Sequence, residues 1–305
     1  MDKKYEKLLD LEMLEFVRKT ESLYSSDAIE MTILEHRTQY NNMAKYFQAA
    51  RPPELLVEDV FLSDVPVRIY SSKKPSSLVI IYLHGGGFML GGLDSHDDVC
   101  AEIAFNTKIK VISVDYALFP ENSFFDAIDD CIKVINSLPQ SSSVILAGDS
   151  AGGTLAANLS SYFASKRGIK VVGQVLIYPG LGGDGKSGSY ERHSNAPLLS
   201  QRETNFYRDQ IFNSLGKERV SSGLVLKEGD FTNLPSTIVF SAEFDPLCDD
   251  GANYCERIRE EGGNAEWHLE LGLVHGYLRA RHISQKASKS FERILASIKM
   301  VSEIN

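Results

Sequence analysis

The chain has 305 residues, 43% hydrophobic and 24% charged, without a low-complexity tract, and this suits one large globular domain able to bury a full core. Its formal net charge of −9 comes without a stripe of Lys and Arg, which excludes nucleic acid as the main partner, because phosphate binding needs concentrated positive charge. No segment reaches the 18 or so apolar residues of a membrane span, and Asp10, Glu12 and Glu15 interrupt what would have to be the apolar stretch of a signal peptide, so a cytoplasmic protein is expected.

Residues 1–50 carry apolar side chains at three- and four-residue spacings (Leu8, Leu11, Leu14, Val17, then Ile29 and Ile33) and predict two or so amphipathic helices. "RPPE" at 51–54 breaks that pattern and opens a second part, 51–305. "VEDVFLS" followed by "VPVRIYSS" alternates as a hairpin does. From residue 78 apolar runs at 78–83, 110–116, 143–148, 171–178, 236–243 and 265–271 interleave with helical patterns at about 124–138, 151–166, 247–261 and 281–300. Near-continuous apolar strands alternating with helices predict an α/β fold, a mostly parallel sheet covered on both faces. Residues 180–232 break the rhythm with "GLGGDGKSGS" and a polar, helical "SQRETNFYRDQIFNSLG", and read as an insertion over the sheet. Cys100, Cys131, Cys248 and Cys255 lack metal-like spacing and read as buried thiols, the last two on one face of a helix.

Chemistry gathers at the ends of those strands. "SVILAGDSAGGTLAANL" sets Gly148-Asp149-Ser150-Ala151-Gly152 between an apolar strand and a helix, the context of a nucleophilic serine on a sharp turn whose flanking glycines leave room for it. A turn whose Ser merely caps the helix is the plainer alternative. An acyl-transfer serine needs N–H donors aimed at a developing oxyanion. The Gly-rich "HGGGF" after strand 78–83 offers Gly85 and Gly86, with Gly87 close behind, and Ala151 offers a third; His84 reads as a residue whose ring supports that loop. Of seven histidines, His275 in "LGLVHGYLRA" lies in a loop after the last strand, where a side chain reaches the carboxyl edge of the sheet; His268 lies in a strand, His36 and His282 on helical stretches, and His96 and His193 are the others. "STIVFSAEFDPLCDD" supplies Asp245 just past its strand as the acid that orients a histidine, with Glu243 its competitor, while Asp249 and Asp250 suit a helix first turn. The order Ser150, Asp245, His275 is that of α/β-hydrolases and not of chymotrypsin-like or subtilisin-like proteases.

Taken together, "HGGGF" (84–88), "DYALFPE" (115–121), "GDSAGG" (148–153), "AEFDPL" (242–247) and "HGY" (275–277) resemble the hormone-sensitive-lipase-like branch of the α/β-hydrolases, and within it the bacterial acetyl esterases, from about residue 55 to the end. The resemblance implies a triad of Ser150, Asp245 and His275, and an oxyanion hole of Gly85, Gly86 and Ala151. It also implies short-chain acyl esters as substrates, no metal or other cofactor, and a helical cap built from residues 1–50 and about 180–232. In "DYALFPE", Ala117 and Phe119 stand where the family often has Arg and Ala, a change expected to alter packing and not chemistry. Phe88, Tyr178, Phe206 and Tyr207 are candidates to line an acyl or alcohol pocket. The expected function is a serine carboxylesterase, with an arylesterase or amidase as runner-up and a non-catalytic hydrolase-like binding protein as the other class. The expected partner is a small ester, and a homodimer is left open.

Overall fold

A computed structural model describes residues 2–24, 30–72, 77–166, 168–219 and 230–303, without the side chains of 212–219. Among these, eight strands form one sheet in the order β1-β2-β4-β3-β5-β6-β7-β8. The hairpin β1 (Leu56–Leu62) and β2 (Val65–Ser71) is antiparallel, β2 runs antiparallel to β4 (Lys110–Val114), and from there through β3 (Leu78–Leu83), β5 (Ser143–Asp149), β6 (Lys170–Ile177), β7 (Ser236–Phe244) and β8 (Ala265–Val274) every pairing is parallel. The eight strands follow the expected apolar runs, with β8 continuing three residues past the expected Leu271, to Val274.

Side-chain alternation along each strand builds two cores. On β3, Val79, Ile81 and Leu83 face a core with helices α5 (Phe124–Asn136), α6 (Ala151–Ala164) and α9 (Cys248–Glu260). Ile80 and Tyr82 face the other, with α4 (Asp97–Thr107) and α10 (Gln285–Glu303), where α1 (Lys3–Leu8) and α2 (Leu11–Leu23) also pack. Both faces being dry explains why the central strands read as unbroken apolar runs. Ile80 and Ile81 are fully buried, each contributing about 2 kcal/mol of transfer free energy. All four cysteines are free and buried, and Cys248 and Cys255 share α9 as expected.

Helix starts follow side-chain chemistry. Asp10 accepts from Met13 N to cap α2, and capping boxes open α3 (Ile33–Phe47), through Thr32 and Glu35, and α5, through Ser123 and Asp126. Three helices thus occupy the N-terminal stretch. The expected insertion contains a short α7 (Ser189–Arg192) and the long α8 (Gln201–Arg219); residues 220–229 lie outside the described residues. The last helix begins at Gln285 because a 3-10 turn, Tyr277–Ala280, precedes it. Among the described residues no helix is long and apolar enough to cross a membrane.

Register decides where the loops emerge. Leu83 pairs with Gly148 and Phe244 with Val274, so β3 and β5, and likewise β7 and β8, end level with each other at the carboxyl edge of the sheet. The glycine-rich loop, Ser150, Asp245 and His275 leave from that edge.

Candidate active site

Ser150 occupies the junction of β5 and α6 with φ +52° and ψ −121°, a left-handed conformation that L residues adopt only under constraint. The constraint is close packing of α6 on β3. A side chain on Gly152 would begin 1.9 Å from the carbonyl oxygen of Leu83. The Ser150 N–H is tied to Ile177 O at 2.9 Å, which locks the turn against β6.

Onto this serine the neighbouring loops bring the two other candidates. The His275 Nε2 lies 2.9 Å from Ser150 Oγ, and its Nδ1 lies 2.7 Å from Asp245 Oδ2. Asp245 is fully buried, and its other oxygen accepts from Leu247 N at 2.8 Å, so both lone-pair faces are held. The Tyr178 ring packs on His275 with centroids 4.8 Å apart and limits the imidazole's rotation. Glu243, the competing acid, accepts from Gly272 N at 2.6 Å and braces β8 away from the histidine. The other histidines are engaged elsewhere: His36 with Tyr24, His96 with Asp149, His193 with Tyr5, His268 on Phe240 and His282 with Glu102.

The glycine-rich loop corrects one expectation. The Gly85 N–H donates to Asp149 Oδ1 at 3.1 Å and is therefore spent inside the protein, not offered as an oxyanion donor. Among the described residues the N–H groups of Gly86 and Gly87 have no protein acceptor, and both glycines line the cleft beside Ser150. Gly86 needs its lack of side chain: φ is +130°, and a Cβ would lie 2.2 Å from Leu90 O. Ala151, as first residue of α6, has an N–H without an intrahelical acceptor. His84 lies beneath this loop, stacked on Tyr116 with centroids 4.3 Å apart, its Nδ1 2.9 Å from Gly85 O. Burial, with the charge of His96 beside it, pushes His84 down to about 3, so it is a neutral ring at ordinary pH. Tyr116 OH donates to His84 O at 2.6 Å and Phe119 N to Phe88 O at 2.8 Å, so the "DYALFPE" stretch supports the loop from below.

Sequence reasoning did not single out Asp149. It is buried and accepts from Tyr82 OH at 2.8 Å and from Gly85, with His96 Nε2 and Tyr178 OH each at 3.4 Å. Burial alone would raise its carboxyl, but His96, Arg279 and Tyr82 outweigh that and hold it well below the usual carboxylate range. One carboxylate thereby ties the nucleophile's turn to the glycine loop. Its position next to Ser150 was the only signal available.

Above these groups opens a cleft of about 1140 Å³, somewhat larger than most small-molecule sites. Phe88, Tyr178 and Tyr207 line it, as expected. Phe206 does not, and packs against Tyr207 on the core side. Tyr207 of α8 covers Gly87, where a side chain would start 2.4 Å from the ring. Phe16 and Thr20 of α2 and Tyr40 of α3 line the same cleft, as does Arg279, four residues past His275.

Residues 80–279 match the alpha/beta hydrolase fold family. The chain belongs to that family. Over 278 residues it is 32% identical to the carboxylesterase NlhH of Mycobacterium tuberculosis, covering 84% of this chain and 87% of the relative. It is 30% identical over 261 residues to the acetyl esterase of Salmonella typhi, covering 80% of each. In structure it is similar to a hyperthermophilic esterase from the archaeon Pyrobaculum calidifontis, with a TM-score of 0.86 at 28% identity over 97% of this chain and 99% of that one.

Proposed function

We propose that this chain is a serine carboxylesterase that cleaves short-chain, acetyl-type esters through an acyl-enzyme. The observation that carries the reading is the continuous hydrogen-bonded series Ser150 Oγ, His275 Nε2, His275 Nδ1, Asp245 Oδ2, with contacts of 2.9 and 2.7 Å. Ser150 attacks the ester carbonyl as His275 takes its proton, and Asp245 holds the ring in the tautomer that leaves Nε2 free to accept. Negative charge then develops on the carbonyl oxygen, where the N–H groups of Gly86, Gly87 and Ala151 receive it. Each such donor is worth about 3 kcal/mol in the transition state. His275 returns the proton to the leaving alcohol, and water activated by the same imidazole releases the acid.

The N-terminal helices and the insertion around α7 and α8 act together as a cap that closes the cleft from above. Residues from α2, α3 and α8 in its lining support this division into a cap (1–50 and about 180–232) and a catalytic domain. The acyl preference is extended from the acetyl esterase relative. A chain-length series of p-nitrophenyl esters from acetate to laurate tests it: the highest kcat/KM is expected at two to four carbons, and a preference for long chains would contradict it.

A further inference from the structure

Arg279 sits on the 3-10 turn Tyr277–Ala280 and lines the cleft. Its Nη1 lies 3.7 Å from where a side chain on Gly276 would begin, beside His275. The guanidinium donates from Nη2 to the Tyr40 hydroxyl at 2.5 Å and faces the Tyr40 ring with its carbon 4.9 Å from the centroid. Its Nε is buried without an acceptor, and among the described residues no carboxylate lies within ion-pairing distance. Asp149 acts on it only through space. Buried guanidinium groups are ordinarily matched by a carboxylate, whereas a phenol is a neutral partner.

Three acids that line the same cleft already have donors. Asp149 has Tyr82 and Gly85, Asp250 has Leu181 N, Gly183 N and Tyr190 OH, and Glu203 has Ser200. Arg279 is thus a cation of the cleft that pairs with none of them. A planar guanidinium is complementary to a carboxylate in shape and charge. A cleft of about 1140 Å³ also exceeds what an acetyl group needs and leaves space for a substituted second half of the substrate.

We propose that Arg279 is the anion-recognition residue of this cleft and pairs with a free carboxylate carried by the ester, so that carboxylate-bearing small esters are its preferred substrate class. This rests on the serine-esterase reading above and adds a specificity determinant to it.

Two matched pairs of esters test the pairing: 4-acetoxybenzoate against its methyl ester, which places the charge on the alcohol half, and mono-p-nitrophenyl succinate against its methyl ester, which places it on the acyl half. The readout is the charged-to-neutral ratio of kcat/KM within each enzyme, so that a general loss of activity cancels. Arg279→Gln is expected to lower that ratio by at least about tenfold for one pair, as for loss of a charge-assisted hydrogen bond, and Arg279→Lys to lower it less, since the charge stays and the planar fork is lost. Ratios in Arg279→Gln within about twofold of wild type for both pairs would overturn the proposal. Should Arg279→Gln fail to fold, wild type decides: benzoate is expected to compete with the neutral ester at least about tenfold better than benzamide, and equal inhibition overturns it. If folded wild type cleaves none of the four esters, the serine-esterase reading itself falls, and this proposal with it.

Discussion

Gly86 shows how one missing side chain supports the chemistry. At φ +130° and with Leu90 O where a Cβ would lie, Gly86→Ala must displace the loop that presents the N–H groups. Its kcat for p-nitrophenyl acetate is expected to fall by about 10²–10³ with little change in KM, the signature of a lost transition-state donor. An unchanged kcat would contradict the placement of the oxyanion there. At this scale the sequence was informative wherever a residue's role follows from its neighbours in the chain. Ser150 between its glycines, Asp245 past its strand and His275 in its loop were all legible, and the structure brings them together. Gly85 was misread because its N–H partner, Asp149, comes from another strand. Arg279 carried no signal at all, since the role proposed for it rests on its having no carboxylate in ion-pairing distance among the described residues.

Among the elements, α9 holds the segment that follows β6. Asp250 in its first turn accepts from Leu181 N at 2.8 Å and Tyr190 OH at 3.0 Å. Burial, aided by the negative charge of Asp245, pushes its carboxyl up to about 6 against those hydrogen bonds. A carboxyl raised in the folded state binds its proton more tightly there than in the unfolded chain. Its stabilising contribution is therefore present below the unfolded value near 3.8 and is lost as pH rises through about 6, by about 3 kcal/mol at most. Asp250→Asn should abolish that component. The difference in unfolding free energy, wild type minus variant, is expected to decline between pH 4 and 7, and a flat difference would contradict the assignment. Strands β3 to β7 were legible because burial on both faces writes itself as apolar runs, whereas much of the edge strand β8 is exposed or half-buried before Leu273. Helix α4 was not, since its opening acids Asp97 and Asp98 are buried against Arg51, Arg68 and Arg281 and disguise a buried helix as a polar one.

Across the whole molecule, the sheet supplies rigidity and its carboxyl edge supplies the site, while the helices outside the alternating pattern supply the walls of the cleft. The alternation of strands and helices, α4 excepted, could be read from periodicity, and the family from the resemblance of its motifs. How α2, α3 and α8 meet over Ser150 could not, because their contacts join positions far apart in the chain, such as Gly87 and Tyr207. Everything proposed for function converges on one atom, the Oγ of Ser150, 2.9 Å from its base. Hydrolysis of p-nitrophenyl acetate by purified Ser150→Ala tests that most directly. The expected result is loss of turnover by about 10⁴ or more with the circular dichroism spectrum and melting temperature of wild type; a folded Ser150→Ala protein that keeps most of its activity would contradict the account.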